Sequence, residues 1–368
     1  MIRVITVFAS LLSGAQAAPA SPVFEECLGR IRFQTPEKFS WATYDIENYK
    51  INSAGGHTFS KNVGAVGDYV RYDYSELLIK VSNMTTREEF DRTRSIVFHS
   101  VEFYKDHLKD RLETNKRLLA TVKRLKYSAN VIEDQANTIK ELEEQIQKTK
   151  VYEFDLGIVD AYVLGSEKTP HEIFLWRNNR VFYFHMNKPG TDSAQRLKDL
   201  IARFEPRELY QVPEGPGVCM PYGFIHDDGN TGFSVKNSLR FTSTPNVIMS
   251  MINASPDDPT RPTRGTYNTD YSPGYDAEKW KKSKIMEKFF FGNRMTTLKG
   301  WRLDPRPESG EQERAWFAIA HVGGLVRPLL AVQMFTFQKG TDGLKDLTPP
   351  PEAVIPKFLK LTQSIREQ

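Results

Sequence analysis

From Asp68 to Leu156 the chain contains neither Gly nor Pro, although both are common on either side. A run of that length without a backbone breaker calls for long regular structure. Its start, RYDYSELLIKVS, alternates apolar and polar residues and predicts a strand. Thr85 and Thr86, with Glu88 and Glu89 three residues on, form a capping-box signal, so a long helix is expected over about 86–149. Apolar residues recur at Val97, Val101, Tyr104 and Leu108. They recur again at Leu118, Val122, Leu125, Ala129, Ile132, Ala136, Ile139 and Ile146, with the spacing of a heptad seam. Polar Arg111 and Asn115 fall between the two sets and suggest a break or hairpin there. A coiled-coil dimer fits this pattern, and so does a long helix or helical pair packed on the chain's own sheet. The second is preferred, because natural helices average about a dozen residues and long ones lean on tertiary contacts.

Beyond this run, YEFDLGIVDAYVLG and HEIFLWRNNRVFYFHM read as strands, the second as a hairpin turning at Asn178-Asn179. TDSAQRLKDLIARFEP predicts a short amphipathic helix stopped at Pro206, and QVPEGPG reads as a linker. SVKNSLRFTS, VIMSMINAS, MTTLKGWRLD, RAWFAIAHV and RPLLAVQMFTFQ are strand-like. AEKWKKSKIMEKFF is expected to be a helix, and EAVIPKFLKLTQSIREQ a terminal helix interrupted early by Pro356. Strands and helices without regular alternation predict an α+β fold. Two α+β domains are expected, residues 24–212 and 213–368, the first with a long charged helical insertion. At 368 residues, 39% of them hydrophobic, the chain can bury a core for each.

The N-terminus, MIRVITVFASLLSGAQA, has a basic start, an apolar run too short to span a bilayer and an A-x-A cleavage site. It predicts a signal peptide, residues 1–17, and an exported, periplasmic protein with no stable membrane insertion after cleavage. In an oxidising compartment Cys27 and Cys219, the only cysteines, read first as a disulfide and otherwise as two separate buried thiols. A net charge of +4 from interspersed residues, with no nucleic-acid-binding motif, argues against a nucleic-acid partner.

Nothing in the chain nominates a catalytic nucleophile with its base or a cofactor, since the nucleophile elbow, P-loop, dinucleotide fingerprint and H-E-x-x-H patterns are missing. One compact cluster stands out: His226, Asp227 and Asp228, followed by Gly229. It lacks the alternating oxygen ligands of a calcium loop and suits a turn between strands. The enzymatic alternative is an exported metal-dependent hydrolase using those three residues, and a third reading is a coiled-coil envelope scaffold. The segment from Arg261 to Asp276 mixes Arg and Tyr with turn residues, so Arg261, Arg264, Tyr267, Tyr271 and Tyr275 are candidate partner contacts.

Two stretches, ECLGRIRFQTPEKF and GVCMPYGFIHDDG, carry a resemblance through Cys27, Gly29, Arg30 and Pro36 in the first. In the second the matching residues are Gly217, Cys219, Gly223, Phe224, Ile225, Asp227, Asp228 and Gly229. They resemble the paired signatures of the Tli family, in its fourth group: immunity proteins that neutralise type VI secretion lipase effectors. Pro221-Tyr222 stands where the family's motif has two small residues. The resemblance implies a periplasmic, non-enzymatic inhibitor that grips an α/β-hydrolase phospholipase at its lid region. It also implies a structural role for the motif residues, with Cys219 tied to Cys27 and Asp-Asp-Gly turning one strand into the next.

Overall fold

The structure, a computed structural model, describes residues 23–51, 57–62, 71–256 and 274–368. The expected signal peptide, residues 1–17, lies outside them. The first described elements are a hairpin of β1 (Phe24–Leu28) and β2 (Ile31–Thr35), a short β3 (Phe39–Trp41), and a ribbon of β4 (Thr43–Ile51) with β5 (His57–Asn62). The stretch expected to be one strand is instead a hairpin of β6 (Arg71–Tyr74) and β7 (Leu77–Val81). Ser75 takes φ +51° at the turn. Tyr72 then opposes Ile79 and Tyr74 opposes Leu77, so the apolar residues of both arms reach one face.

The long helix is two helices, α1 (Arg87–Arg124) and α2 (Ala129–Lys148), and α1 starts on a complete capping box between Thr86 and Glu89. The break falls after Leu125 rather than at Arg111 and Asn115. Asn115 is not a breaker because its side-chain carbonyl accepts a hydrogen bond from Gln135 Nε2 across the hairpin at 2.7 Å. The helices pair within one chain through Leu108, Leu112 and Leu142, with Tyr104, Ile139 and Ile146 packed around them. Leu118 and Leu125, expected on a dimer seam, are solvent-exposed.

Next come β8 (Tyr152–Phe154), β9 (Ala161–Ser166), β10 (Thr169–Arg177) and β11 (Arg180–Met186). Asn178 and Asn179 both take positive φ between β10 and β11, as a two-residue hairpin turn requires. α3 (Ser193–Arg203) runs straight into β12 (Phe204–Pro206), which pairs with β14 (Gly223–His226), itself paired with β13 (Gly217–Met220). The remaining elements are β15 (Phe233–Phe241), β16 (Val247–Ala254), β17 (Trp280–Phe291), β18 (Arg294–Pro305), β19 (Ala315–Val322), β20 (Leu329–Thr336), α4 (Pro351–Gln363) and β21 (Arg366–Glu367).

Two further expectations are corrected. AEKWKKSKIMEKFF forms most of β17, paired with β18 along its whole length. Its Ile285, Phe289 and Phe291 are buried while Lys281, Lys282, Lys284 and Lys288 stand among the other positions, and an edge strand armed with lysines is protected from further pairing. Pro356 does not interrupt α4, which runs unbroken through it. The missing N–H costs the helix one bond, while Val354, Ile355, Phe358 and Leu361 stay buried in the core.

The main sheet is antiparallel, in the order β17-β18-β19-β20-β16-β15-β6-β7-β11-β10-β9-β8, with β3 alongside β15. Strand β15, after the expected linker, pairs with β6, before it, so the segments on either side of residue 212 share this sheet. One face carries α3 and α4: Phe204 packs on Phe182 and Phe184, and Phe358 stacks on Phe241 at 4.8 Å. The base of α1 covers part of the other face, where Phe90 meets Tyr162 and Trp176. The chain is α+β.

Candidate functional site

The turn of the β1–β2 hairpin and strand β13 meet although they are far apart in sequence. Cys27 and Cys219 form a disulfide spanning 192 residues, and both are fully buried. Beside it the Gly29 N–H donates to the Cys219 carbonyl at 2.8 Å and the Cys219 N–H donates to the Gly29 carbonyl at 2.7 Å. Gly29 holds φ +62° at the first central position of the turn. A Cβ there would stand 2.2 Å from Asn253 Oδ1, the atom that accepts the Arg30 N–H at 2.8 Å. Only glycine allows that approach. Gly217 is a second close approach, since a Cβ would stand 2.3 Å from the Phe224 ring.

Arg30 reaches from this turn to Asp227 just beyond β14. Its two terminal nitrogens donate to Asp227 Oδ1 and Oδ2, each at 2.7 Å, and further to the carbonyls of Gly217 and Thr231. The guanidinium also lies over the Phe233 ring, 5.1 Å from its centroid. Tyr74 donates to Asp227 Oδ2 at 3.1 Å, and Arg203 donates to the Tyr74 hydroxyl and to the His226 carbonyl, both at 2.9 Å. Asp227 Oδ1 also accepts the Gly229 N–H at 2.8 Å. One carboxylate thus ties the β1–β2 turn and β6 to the β14–β15 connection through hydrogen bonds, charge-assisted from Arg30, and Arg203 of α3 joins them through the Tyr74 hydroxyl.

Burial works to raise the Asp227 pKa, but the hydrogen bonds from Arg30 and Gly229 outweigh it and hold the carboxyl below its ordinary 3.8. A depressed carboxyl contributes stability that is complete above the unfolded pKa and is lost as pH falls through the folded value. Thermal melts across the acid range should therefore lose stability below about pH 4, and Asp227→Asn should flatten that loss while lowering stability at neutral pH. An unchanged acid profile in Asp227→Asn would contradict the assignment.

A second ion pair lies deeper. Glu26, between Glu25 and Cys27 in β1, pairs with Arg207, and both side chains are almost fully buried. Glu26 also accepts the N–H groups of Cys27 and Tyr210 at 2.9 Å. Arg207 donates to the carbonyls of Gln211 and Met220. Sequence reasoning missed Glu26, Arg207, Tyr74 and Arg203. No local signal in the sequence pointed to them, since Glu26 meets Arg207 only when strands far apart in the chain come together.

The structure brings His226, Asp227 and Asp228 close in chain but not to a common point. His226 Nε2 contacts Glu205 at 2.7 Å, Asp227 faces Arg30, and Asp228 accepts the Asn230 N–H at 3.0 Å. Among the described residues no group of three His, Cys, Asp or Glu side chains could hold a metal ion. Gly229, at φ +84°, carries the turn into β15. Gly223, Phe224 and Ile225 are buried in β14, and Pro36 stands in the bend between β2 and β3. Tyr222 takes φ +62° in the β13–β14 turn and its ring receives the Arg180 guanidinium at 3.5 Å.

Of the candidate partner contacts, Arg261, Arg264, Tyr267 and Tyr271 lie outside the described residues. Tyr275 is exposed. Lys282 stands over its ring at 5.1 Å and over the Trp301 ring at 4.7 Å, which joins Tyr275 to the β17–β18 hairpin. Among the described residues no helix is long and apolar enough to cross a membrane.

No family model matches the chain, and no curated protein does. Solved structures similar to it at low identity include these three. The apo immunity protein TplEi of the type VI secretion system of Pseudomonas aeruginosa has a TM-score of 0.46 and 12% identity, covering 94% of this chain and 97% of that one. TplEi of Pseudomonas aeruginosa complexed with "L" peptide has a TM-score of 0.47 and 10% identity, covering 95% and 99%. The Tle4-Tli4 complex contains a chain with a TM-score of 0.48 and 10% identity, again covering 95% and 99%.

Proposed function

We propose that this chain is an exported immunity protein that binds a type VI secretion lipase effector of α/β-hydrolase type in the periplasm and holds it inactive by gripping its lid region. The observation that carries the reading is the meeting of the two motifs. The residues that resemble the paired Tli signatures build one cross-brace, in which Cys27 and Cys219 bond and Arg30 clasps Asp227. Each of these four residues is engaged in holding chain to chain, and none is presented to a substrate. A brace of this kind keeps a binding surface preorganised, which lowers the cost of association. The disulfide suits the oxidising compartment to which the predicted signal peptide would deliver the chain.

We take the contact surface to be the segment from Arg261 to Asp276 and the β17–β18 hairpin that follows it. Tyr, Trp and Arg are the side chains that most often dominate binding energy, and Tyr275 and Trp301 share Lys282 there. The test mixes the purified chain with a type VI secretion lipase effector and follows complex size. A one-to-one complex is expected, with Tyr275→Ala weakening it by about tenfold. Phospholipid turnover by the purified chain alone, or no complex at micromolar concentrations, would overturn the reading.

A further inference from the structure

The far end of the α1–α2 hairpin is basic and apolar together. Between Thr114 and Ile132 the chain carries Lys116, Arg117, Lys123, Arg124 and Lys126, and no acidic residue. The rest of α2 has the opposite balance: Glu133, Asp134, Glu141, Glu143 and Glu144 against Lys140 and Lys148. Lys116 is held by Glu113 and Glu143, whereas among the described residues Arg117, Lys123, Arg124 and Lys126 make no ion pair. The same turn exposes large apolar side chains: Leu125 is 58% exposed, Tyr127 53% and Val131 40%. Every residue from Lys123 to Val131 is exposed.

Position adds to composition. Val97 is the last α1 residue buried in the main core, and the small core of the hairpin is separate from it. At 1.5 Å per residue the end of α1 stands about 40 Å along the helix from Val97. The tip is therefore an arm's end, reached by whatever lies beyond the body of the protein.

We propose that this tip docks on an anionic phospholipid surface, with Leu125 and Tyr127 seated at the interface and the four unpaired cations over the headgroups. An acidic protein is the other conceivable occupant. The unpaired cations and exposed apolar side chains of the tip lie on about eleven residues, Arg117, Leu118 and Lys123 to Val131, fewer than the 20–30 residues a side that a stable protein interface uses. Interfacial binding grows with the apolar area buried and with electrostatic attraction to anionic lipid, and each such cation near an anionic surface strengthens binding about fivefold. The proposal stands apart from the inhibitor reading and can fail without it.

The test sediments the purified chain without residues 1–17 with phosphatidylcholine vesicles that contain or lack phosphatidylglycerol. Binding is expected only with phosphatidylglycerol, and it should weaken as salt rises. Lys123→Glu, Arg124→Glu and Lys126→Glu combined should lower partitioning by more than a hundredfold. Leu125→Ser with Tyr127→Ser should lower it by about tenfold. All five side chains are exposed, so unchanged thermal melts will establish that the variants fold. Absence of binding to phosphatidylglycerol vesicles, or equal binding by the charge-reversed chain, overturns the proposal. Capture of an acidic protein by the tip, with no vesicle binding, overturns it in favour of a protein partner.

Discussion

Replacing Cys27 and Cys219 together by Ser should lower the unfolding free energy by about 2–5 kcal/mol, near the top of that range if the unfolded chain is otherwise unconstrained. The disulfide closes a loop of 192 residues, the separation that sets the entropy removed from the unfolded chain. In the simple loop model that separation corresponds to about 5 kcal/mol. The folded state adds little against the change, because both sulfurs are buried and β1 and β13 remain joined by the paired Gly29 and Cys219 amides. Urea unfolding of the wild-type and double-Ser chains would measure the difference, with the wild type plus reductant as a third sample that should match the variant. A loss below about 1 kcal/mol would mean that the unfolded chain is already constrained or that the bond does not form.

The second large effect is expected at the buried ion pair. Arg207→Ala should destabilise the fold by about 3–5 kcal/mol, since it strands the Glu26 carboxylate in a buried site without its counter-charge. Glu26 is 0% and Arg207 1% exposed at the side chain. Glu26→Gln should also be costly, because it leaves the Arg207 charge buried without its partner, and one amide oxygen can replace only one of the two carboxylate oxygens that now accept the N–H groups of Cys27 and Tyr210. The combined variant Glu26→Gln, Arg207→Met should be less damaged than the sum of its parts, because removing the cation no longer leaves a charge behind. It will not return to the wild-type level, since Arg207 also serves the carbonyls of Gln211 and Met220. Additive losses in a double-mutant cycle would show that the two groups are not coupled.

Much of the fold was legible where local chemistry and burial agree. The Thr86 capping box, the Asn178-Asn179 turn and the amphipathic helix at 193–203 each have a physical cause confined to a few residues. Legibility failed where tertiary pairing decides between two compatible patterns. In KWKKSKIMEKFF the apolar positions fit a helix about as well as a strand, and pairing with β18 settles the matter. In α1 and α2 the apolar spacing continues through Leu125, yet the chain turns back there, because pairing Leu108 and Leu112 with Leu142 in a hairpin is available only within one chain.

The brace at the two motifs was half legible. Two cysteines in an exported chain suggest a bond, and Asp-Asp-Gly suggests a turn. That Arg30 would clasp Asp227 and that Glu26 would meet Arg207 depends on which strands come together across some 180–200 residues of chain, and no local pattern encodes that distance.

The measurement closest to the central claim follows phospholipid hydrolysis by a type VI secretion lipase effector as the purified chain is added. Activity should fall linearly to near zero at one-to-one stoichiometry. The Cys27→Ser, Cys219→Ser chain should inhibit more weakly at temperatures where its brace has melted. A lipase that remains fully active at several-fold excess of a folded, oxidised chain would contradict the account.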